Sequence, residues 1–230
     1  MATIDERTGA EVRTGAVGRA DRMAAGASTL EAVAGAGGVV LPILGLVGVL
    51  PLWMAGIAVI VIAGGLLVEG AGLLTQYGAL LASTRESSGR GTPEMAGGVA
   101  VQVMGGAAGL VLGIVALRSG MPVTLLSIAI LVLGGAMLLG AGATARLSAL
   151  QYSFHGGSEL GRKAADEAVR AASGAEVFTG LGVLILGVVA LSVGATALTL
   201  VLAACLALGS AVFLAGTSLG ARMVAILKQK

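Results

Sequence analysis

The feature that most constrains this chain is a series of six apolar runs, each about as long as a membrane-crossing helix, which needs roughly 20 residues. The runs cover residues 31–50, 52–74, 95–117, 123–145, 176–193 and 198–221. A backbone inside the bilayer must satisfy its own hydrogen bonds, and an α-helix does so within one segment. We therefore predict an all-α polytopic membrane protein with six transmembrane helices.

Composition agrees with a membrane location. Charged residues make up 11% of the chain and hydrophobic residues 57%, whereas a soluble domain carries about 25% charged residues. The 39 glycines are typical of helices that approach one another closely in lipid. Residues 1–29 mix charged residues with Ala and Gly and have no apolar segment of the signal-peptide type. We interpret them as a polar cytoplasmic arm before a membrane domain at residues 30–227.

The connections between the runs alternate between short and long. The three short ones lie around Pro51 and within "RSGMP" and "SVGAT", whereas residues 75–93 and 146–175 form longer, charged connections. This alternation predicts three tandem helical hairpins at about 31–74, 95–145 and 176–221. Within the second long connection, residues 159–172 have the pattern of a short amphipathic helix, which would lie on the membrane, bind a partner or be solvated.

Basic residues orient the hairpins. The side with the long connections has Arg7, Arg13, Arg19, Arg22, Arg85, Arg90, Arg146, Arg162, Lys163, Arg170, Arg222, Lys228 and Lys230. The opposite side has only Arg118. Because cytoplasmic loops carry the excess of Lys and Arg, both termini and the connection 146–175 are predicted to be cytoplasmic. The expected location is the inner (plasma) membrane of a cell.

The hairpins resemble one another at the start of their first helices. Each start combines Ser, Thr or Pro with a Glu four residues before a Gly, namely Glu31 and Gly35, Glu94 and Gly98, and Glu176 and Gly180. In a Ser-x-x-Glu capping box the hydroxyl and the carboxylate each satisfy a free N–H of the first turn. We therefore predict that these acids cap helices.

The second helices share small-residue segments. The segments are "GGLLVEGAG" from Gly64, "GGAMLLGAG" from Gly134 and "GSAVFLAGT" from Gly209, which begin 70 and 75 residues apart. This alignment indicates a triplicated hairpin. It places Leu139 and Leu214 opposite Glu69, so that the acid belongs to one hairpin only.

Glu69 is the main candidate for a functional side chain. A carboxylate inside an apolar span is costly and suggests a functional role by default. Gln102 enters the next span from the same side at a similar depth, so that the two side chains are expected to hydrogen-bond. Two interpretations stay open at this point. The pair is either a packing detail near the membrane boundary, which we favour because the acid is neither central nor repeated, or an ion or proton site.

Glycine ridges predict helix contacts. Gly105, Gly109 and Gly113 form a small-xxx-small ridge in the third span, and Gly140 belongs to a similar ridge in the fourth. Together with Gly64 and Gly134 they are the candidate packing residues, within the chain or between chains. Because several spans carry small residues on more than one side, we expect self-association or packing in a larger membrane complex. The Gly105–Gly113 ridge is the expected contact.

No motif for catalysis or cofactor binding is present. The chain has no Walker loop, dinucleotide fingerprint, zinc-protease helix or nucleophile elbow. His155 is the only histidine and has no Cys or acidic partner in sequence, which argues against a metal site. The net charge is +2 and no basic face is interleaved with aromatic residues, which argues against nucleic acid as a partner. We therefore expect a protein that is not an enzyme and has no cofactor.

The hairpin at residues 109–147, "GLVLGIVALRSGMPVTLLSIAILVLGGAMLLGAGATARL", resembles the repeat of the HdeD-like acid-resistance membrane proteins. The glycine spacing, the turn at Pro122 and the Gly-rich second helix carry the resemblance. It implies a bacterial inner-membrane protein of six helices with a role in stress protection and no catalytic residues. From the sequence we therefore expect a structural, stress-protective or accessory-subunit role. The alternative is an ion, proton or small-solute pathway through Glu69 and Gln102.

Overall fold

The computed structural model describes the backbone of residues 29–84, 93–154, 159–194 and 196–227. This part of the chain consists of six helices and contains no strand. The helices are α1 (Thr29–Leu46), α2 (Pro51–Thr84), α3 (Pro93–Arg118), α4 (Pro122–Phe154), α5 (Glu159–Ser192) and α6 (Ala197–Leu227). All six are long and apolar enough to cross a membrane, which confirms the predicted all-α polytopic fold. Residues 1–28 of the predicted arm lie outside the described residues.

The apolar spans are shorter than the helices that contain them. They comprise Thr29–Leu46, Pro51–Gly72, Ala100–Arg118, Pro122–Ala141, Gly174–Ser192 and Ala197–Thr217. We call the end where α1, α3 and α5 begin the long-connection end, and the opposite end the short-loop end. At the long-connection end, α2 to α6 continue as helices beyond the spans.

The long connections are therefore mostly helical, unlike the prediction. Residues 159–172 are the first half of α5 and do not form a separate short helix. The physical reason is the run of Ala, Glu, Lys and Arg, which are strong helix formers. The one interior break signal, Gly174, costs only about 1 kcal/mol relative to Ala. For the same reason Glu176 lies inside a helix, and the predicted capping box at Ser173 is wrong.

Local signals explain the short-loop end. Proline is the first residue of α2, α3 and α4, where its missing N–H removes no helical hydrogen bond. The end of α1 is a Schellman motif: Gly48 has φ 97°, its N–H donates to the carbonyl of Gly45, and Val49 N–H donates to the carbonyl of Leu44. The chain then enters α2 through Leu50, which has φ 41°.

The even-numbered helices form the centre of the bundle. Helices α2, α4 and α6 contact one another, and α3 and α5 each contact two of them. Helix α1 packs against α2 through Gly37 and against α6 through Gly38. Buried residues make up 44, 50 and 44% of the spans of α2, α4 and α6, but only 28, 33 and 22% of those of α1, α3 and α5. Three inner helices are thus surrounded by three outer ones.

Each outer helix lies between two inner helices, one before it and one after it in the ring. Helix α3 packs against α2 as well as α4, and α5 packs against α4 as well as α6. Packing therefore does not separate one hairpin from the next, and the three-hairpin organisation stays an interpretation of the sequence. The arrangement does have an approximate threefold pattern, in which every second helix occupies an equivalent place.

The inner helices also fix the register of the repeat. They begin at Pro51, Pro122 and Ala197, which are 71 and 75 residues apart. With these intervals the fully buried side chains fall into equivalent layers, for example Ile62, Leu133 and Leu208. The predicted interval of 70 between the first two repeats is therefore one residue too short. The glycine pairs of α2 and α4 misled the alignment because Gly64 corresponds to Gly135.

Candidate functional site

Three polar side chains are buried in the part of the chain whose side chains are described: Glu31, Gln102 and Ser127, which are 2, 3 and 0% exposed. The Ser127 hydroxyl donates a hydrogen bond of 2.9 Å to the carbonyl of Val123 in its own helix, and so needs no further partner. Glu31 and Gln102 are each the third residue of their span at the long-connection end. They lie about 3 Å inside the apolar region, given a rise of about 1.5 Å per residue.

Gln102 connects two inner helices. Its side chain hydrogen-bonds Glu69 on α2, as the matching depths of the two residues predict. On its other side it packs against α4, because a Cβ added at Gly140 would lie 2.7 Å from Gln102 Oε1. A longer side chain at position 140 would displace the amide. The backbone contact at Gly140 therefore allows Gln102 to reach between α2 and α4.

Two further acids accompany this pair. Glu31 on α1 interacts electrostatically with both Glu69 and Glu176, and Glu176 on α5 interacts with Glu69. The sequence patterns assigned Glu31 and Glu176 to helix caps, so that their convergence with Glu69 was missed. We call Glu31, Glu69, Gln102 and Glu176 the polar cluster. It draws side chains from four helices that are distant in sequence.

The three outer-helix members of the polar cluster occupy equivalent positions. Glu31, Gln102 and Glu176 are the third residues of their spans, and each lies four residues before a glycine. These glycines meet equivalent positions of the inner helices: Gly35 meets Phe213, Gly106 meets Leu67, and Gly180 meets Leu138. Gln102, and not Glu94, is thus the counterpart of Glu31. An identical interval of 71 residues relates Leu67 to Leu138 and Glu31 to Gln102.

The corrected register also changes the counterparts of Glu69. They are Gly140 and Ala215 rather than Leu139 and Leu214, which are 61 and 64% exposed and face outward. Glu69 is therefore the one long polar side chain among the three equivalent inner-helix positions. The polar cluster combines a ring from the outer helices with a single acid from α2.

Two oxygens of the polar cluster have no hydrogen-bond partner. They are Glu31 Oε1 and Gln102 Oε1, both fully buried. An unsatisfied buried polar atom costs about 1–3 kcal/mol, and native structures contain few of them. Both atoms are acceptors, and the carboxylates beside them are acceptors as well when ionised. The chemistry that this arrangement lacks is a hydrogen-bond donor or a positive charge.

The bundle beyond the polar cluster is apolar. Successive layers of buried side chains from the three inner helices are Leu66, Met137 and Val212; Ile62, Leu133 and Leu208; Val59, Ile130 and Cys205; and Ala55, Leu126 and Val201. Among the described side chains the one buried polar group in this region is Ser127, which is bonded within α4. The polar cluster is therefore closed toward the short-loop end by four apolar layers.

The glycine ridge of α3 is internal, and the prediction that it joins two chains is wrong. A Cβ at Gly105 would meet Ala136, one at Gly109 would lie 2.6 Å from Leu133, and one at Gly113 would lie 2.8 Å from Ile60. The ridge thus fits α3 into the groove between α4 and α2, which sequence alone could not distinguish from an outer contact.

The other predicted packing glycines differ among themselves. Gly134 meets the α5 residues Val183 and Gly180, and Gly140 meets Gln102, so both join helices of the same chain. At Gly64 a Cβ would meet nothing within 4 Å. Gly64 is therefore not a contact between the helices of one chain.

The remaining candidates add no second site. His155 lies outside the described residues, and the Cys205 thiol is buried in the apolar core. Within the described ranges, no three His, Cys, Asp or Glu side chains are close enough to hold a metal ion.

The fold and the polar cluster together define a multi-pass integral membrane protein with a closed acidic site near one membrane boundary. No protein-family model, curated protein or solved structure matches the chain. The resemblance to HdeD-like proteins therefore stays a prediction from the sequence, and the function has to be argued from the site.

Proposed function

We propose that this chain is a non-enzymatic membrane protein that binds a cation in the polar cluster, from the cytoplasmic side. The observation that supports the proposal is the pair of buried, unpartnered oxygens, Glu31 Oε1 and Gln102 Oε1, beside two further carboxyl groups. A bound cation would satisfy both oxygens and offset the repulsion among the acids.

Energetics favour a ligand role over a purely structural one. Apolar side chains in place of a buried polar group are often neutral or stabilising, and the neighbouring layers of this bundle are built that way. Helix packing alone thus gives no reason to bring Glu31, Glu69 and Glu176 together. The rival hypothesis from the sequence, a structural, stress-protective or accessory-subunit role, makes the opposite prediction: no cation binds at this position.

The geometry favours a closed binding site over a pathway through the protein. Four apolar layers separate the polar cluster from the short-loop end, and a conduction path needs polar groups or water along its length. An ion entering from the long-connection end would therefore leave by the same route. This role suits a sensor or an accessory subunit whose stability responds to a cation.

The test uses the full chain in nanodiscs made of phosphatidylcholine. Thermal unfolding is followed by circular dichroism while Na⁺, K⁺, NH₄⁺ or Mg²⁺ is titrated at constant ionic strength. A ligand that binds the folded state stabilises it by about 2.7 kcal/mol at 100 times its Kd, so we expect a concentration-dependent rise in Tm for at least one cation.

A pair of variants localises the effect. Glu69→Gln should abolish the rise in Tm, because it removes a charge from the polar cluster while keeping a side chain that can hydrogen-bond Gln102. Glu159→Gln is the matched control, since it removes a charge from the same protein about 25 Å along α5 from Glu176, at about 1.5 Å per residue. If no cation raises the Tm of the unmodified protein, the structural hypothesis replaces ours. Cation flux into proteoliposomes would contradict the closed site.

A further inference from the structure

The outer-helix members of the polar cluster converge with the approximate threefold pattern of the bundle. Glu31, Gln102 and Glu176 come from equivalent positions of α1, α3 and α5. Each of these helices lies in a groove between two inner helices. At the same level the inner helices contribute Glu69, Gly140 and Ala215, so that α4 and α6 add no side chain larger than a methyl group. Three oxygen-bearing side chains therefore surround one axis.

From this arrangement we infer that the ligand is a primary ammonium group, bound on the threefold axis by one hydrogen bond from its nitrogen to each of Glu31, Gln102 and Glu176. The inference rests on the proposed function and names its ligand class. An R–NH₃⁺ group carries three N–H donors and no acceptor, arranged with threefold symmetry about the C–N bond. The site offers the complementary set of three acceptors, related by the same symmetry.

The unpartnered atoms agree with this ligand. Glu31 Oε1 and Gln102 Oε1 are buried acceptors without a donor, on two of the three outer helices. The Gln102 amide is oriented by its hydrogen bond to Glu69, which leaves its Oε1 as the acceptor for the axis. Glu69 then acts as a positioning residue that also supplies negative charge. A charge-assisted hydrogen bond to an ammonium group is stronger than one between neutral groups.

A bare metal ion suits the site less well. Mg²⁺ requires near-octahedral oxygen ligands at about 2.0–2.1 Å, and Ca²⁺ requires six to eight at about 2.3–2.6 Å. Among the described side chains no three acids approach closely enough for such coordination. An ammonium nitrogen accepts longer contacts of about 2.7–2.9 Å to carboxylate oxygen. Wider spacing of the acids therefore favours the larger, hydrogen-bonding cation.

The experiment compares cations that differ only in the ability to donate hydrogen bonds. Methylammonium, tetramethylammonium and K⁺ are each titrated into the protein in phosphatidylcholine nanodiscs, and Kd is measured by isothermal titration calorimetry. We expect methylammonium to bind at least about tenfold more tightly than K⁺, because K⁺ donates no hydrogen bond. Tetramethylammonium, which has no N–H, should not bind.

Variants of Gln102 test the contribution of the third acceptor. Gln102→Leu should weaken methylammonium binding about tenfold, the loss of one charge-assisted hydrogen bond. Gln102→Glu should restore or increase the affinity, because it returns an acceptor at the same position. If Gln102→Leu does not fold, Gln102→Glu alone decides, since a purely structural role would give no gain in affinity from the added acid.

The outcomes separate this inference from the proposed function. Equal Kd values for K⁺ and methylammonium would overturn the ammonium assignment and leave a cation site. Binding of no cation at all would overturn both. Nanodiscs containing phosphatidylethanolamine identify the source of the ligand, because its headgroup carries a primary ammonium and that of phosphatidylcholine does not. Loss of methylammonium binding in those nanodiscs assigns the site to the lipid headgroup, and unchanged binding assigns it to a soluble amine.

Discussion

Replacing Gly209 with Ala tests the contact that closes the ring of helices between α1 and α6. The added Cβ would meet the carbonyl carbon and oxygen of Gly38 and would lie 2.8 Å from its Cα. Ordinary contacts between carbon atoms are about 3.5–4.0 Å, so the two helices must separate by roughly 0.7–1.2 Å at this point. The partner atoms belong to the backbone and cannot rotate away as a side-chain end would.

The magnitude follows from two opposing terms. Overpacking of a close contact costs about 1–3 kcal/mol, and the rigid partner places Gly209→Ala at the upper end. The gain in helix propensity from Gly to Ala offsets about 1 kcal/mol, which leaves a net loss of about 2 kcal/mol. Gly64→Ala is the matched control, because its Cβ would meet nothing within 4 Å. It should keep the gain of about 1 kcal/mol.

The two variants should therefore differ by about 3 kcal/mol, or roughly a hundredfold in the folding equilibrium. The measurement is equilibrium unfolding in mixed micelles by titration with sodium dodecyl sulfate, followed by the loss of helical circular dichroism. Equal midpoints for Gly209→Ala and Gly64→Ala would refute the reasoning, since helix propensity would then be the only term that counts.

Three other predictions concern the loops, the orientation and the glycine ridge. Gly48→Ala should lower the free energy of unfolding by about 1–2 kcal/mol in the same titration, because Gly48 has φ 97° and L-residues pay that cost in the left-handed region. Reporter fusions after Lys230 and next to Arg118 should report opposite sides of the membrane; the same side for both would contradict six spans. Gly109→Leu should prevent folding, whereas Ala108→Leu on the exposed face of α3 should give a normal yield in detergent.

The fold was predictable because its main signal is simple. Six apolar runs specify six helices regardless of their exact register, and the pairing of Glu69 with Gln102 followed from their depths in adjacent spans. The ends of the helices were harder, since α5 continues through Gly174 where a loop was expected. Helix propensity along residues 159–173 outweighed that glycine, and the hydropathy pattern does not measure this balance.

The site was only partly predictable for two physical reasons. A Glu near the start of an apolar span is equally consistent with a cap and with an inward-facing side chain, so Glu31 and Glu176 were assigned to caps. An error of one residue in the repeat turns a helical side chain by about 100°, from the 3.6 residues per turn. That error placed the exposed Leu139 opposite Glu69. Only the contacts of Gly106 and Gly180 fixed the correct register.

The closing contact of the ring joins the first and the last membrane helix of the chain, at Gly38 and Gly209. During synthesis, α1 therefore waits in the membrane without one of its two inner neighbours until α6 has been inserted. Glu31, which lies in the groove between α6 and α2, is exposed to lipid for the same period. A ribosome that stalls before α6 leaves an open bundle carrying a buried acid at its edge, which membrane quality-control proteases are suited to detect. The complete chain hides that signal in its last folding step.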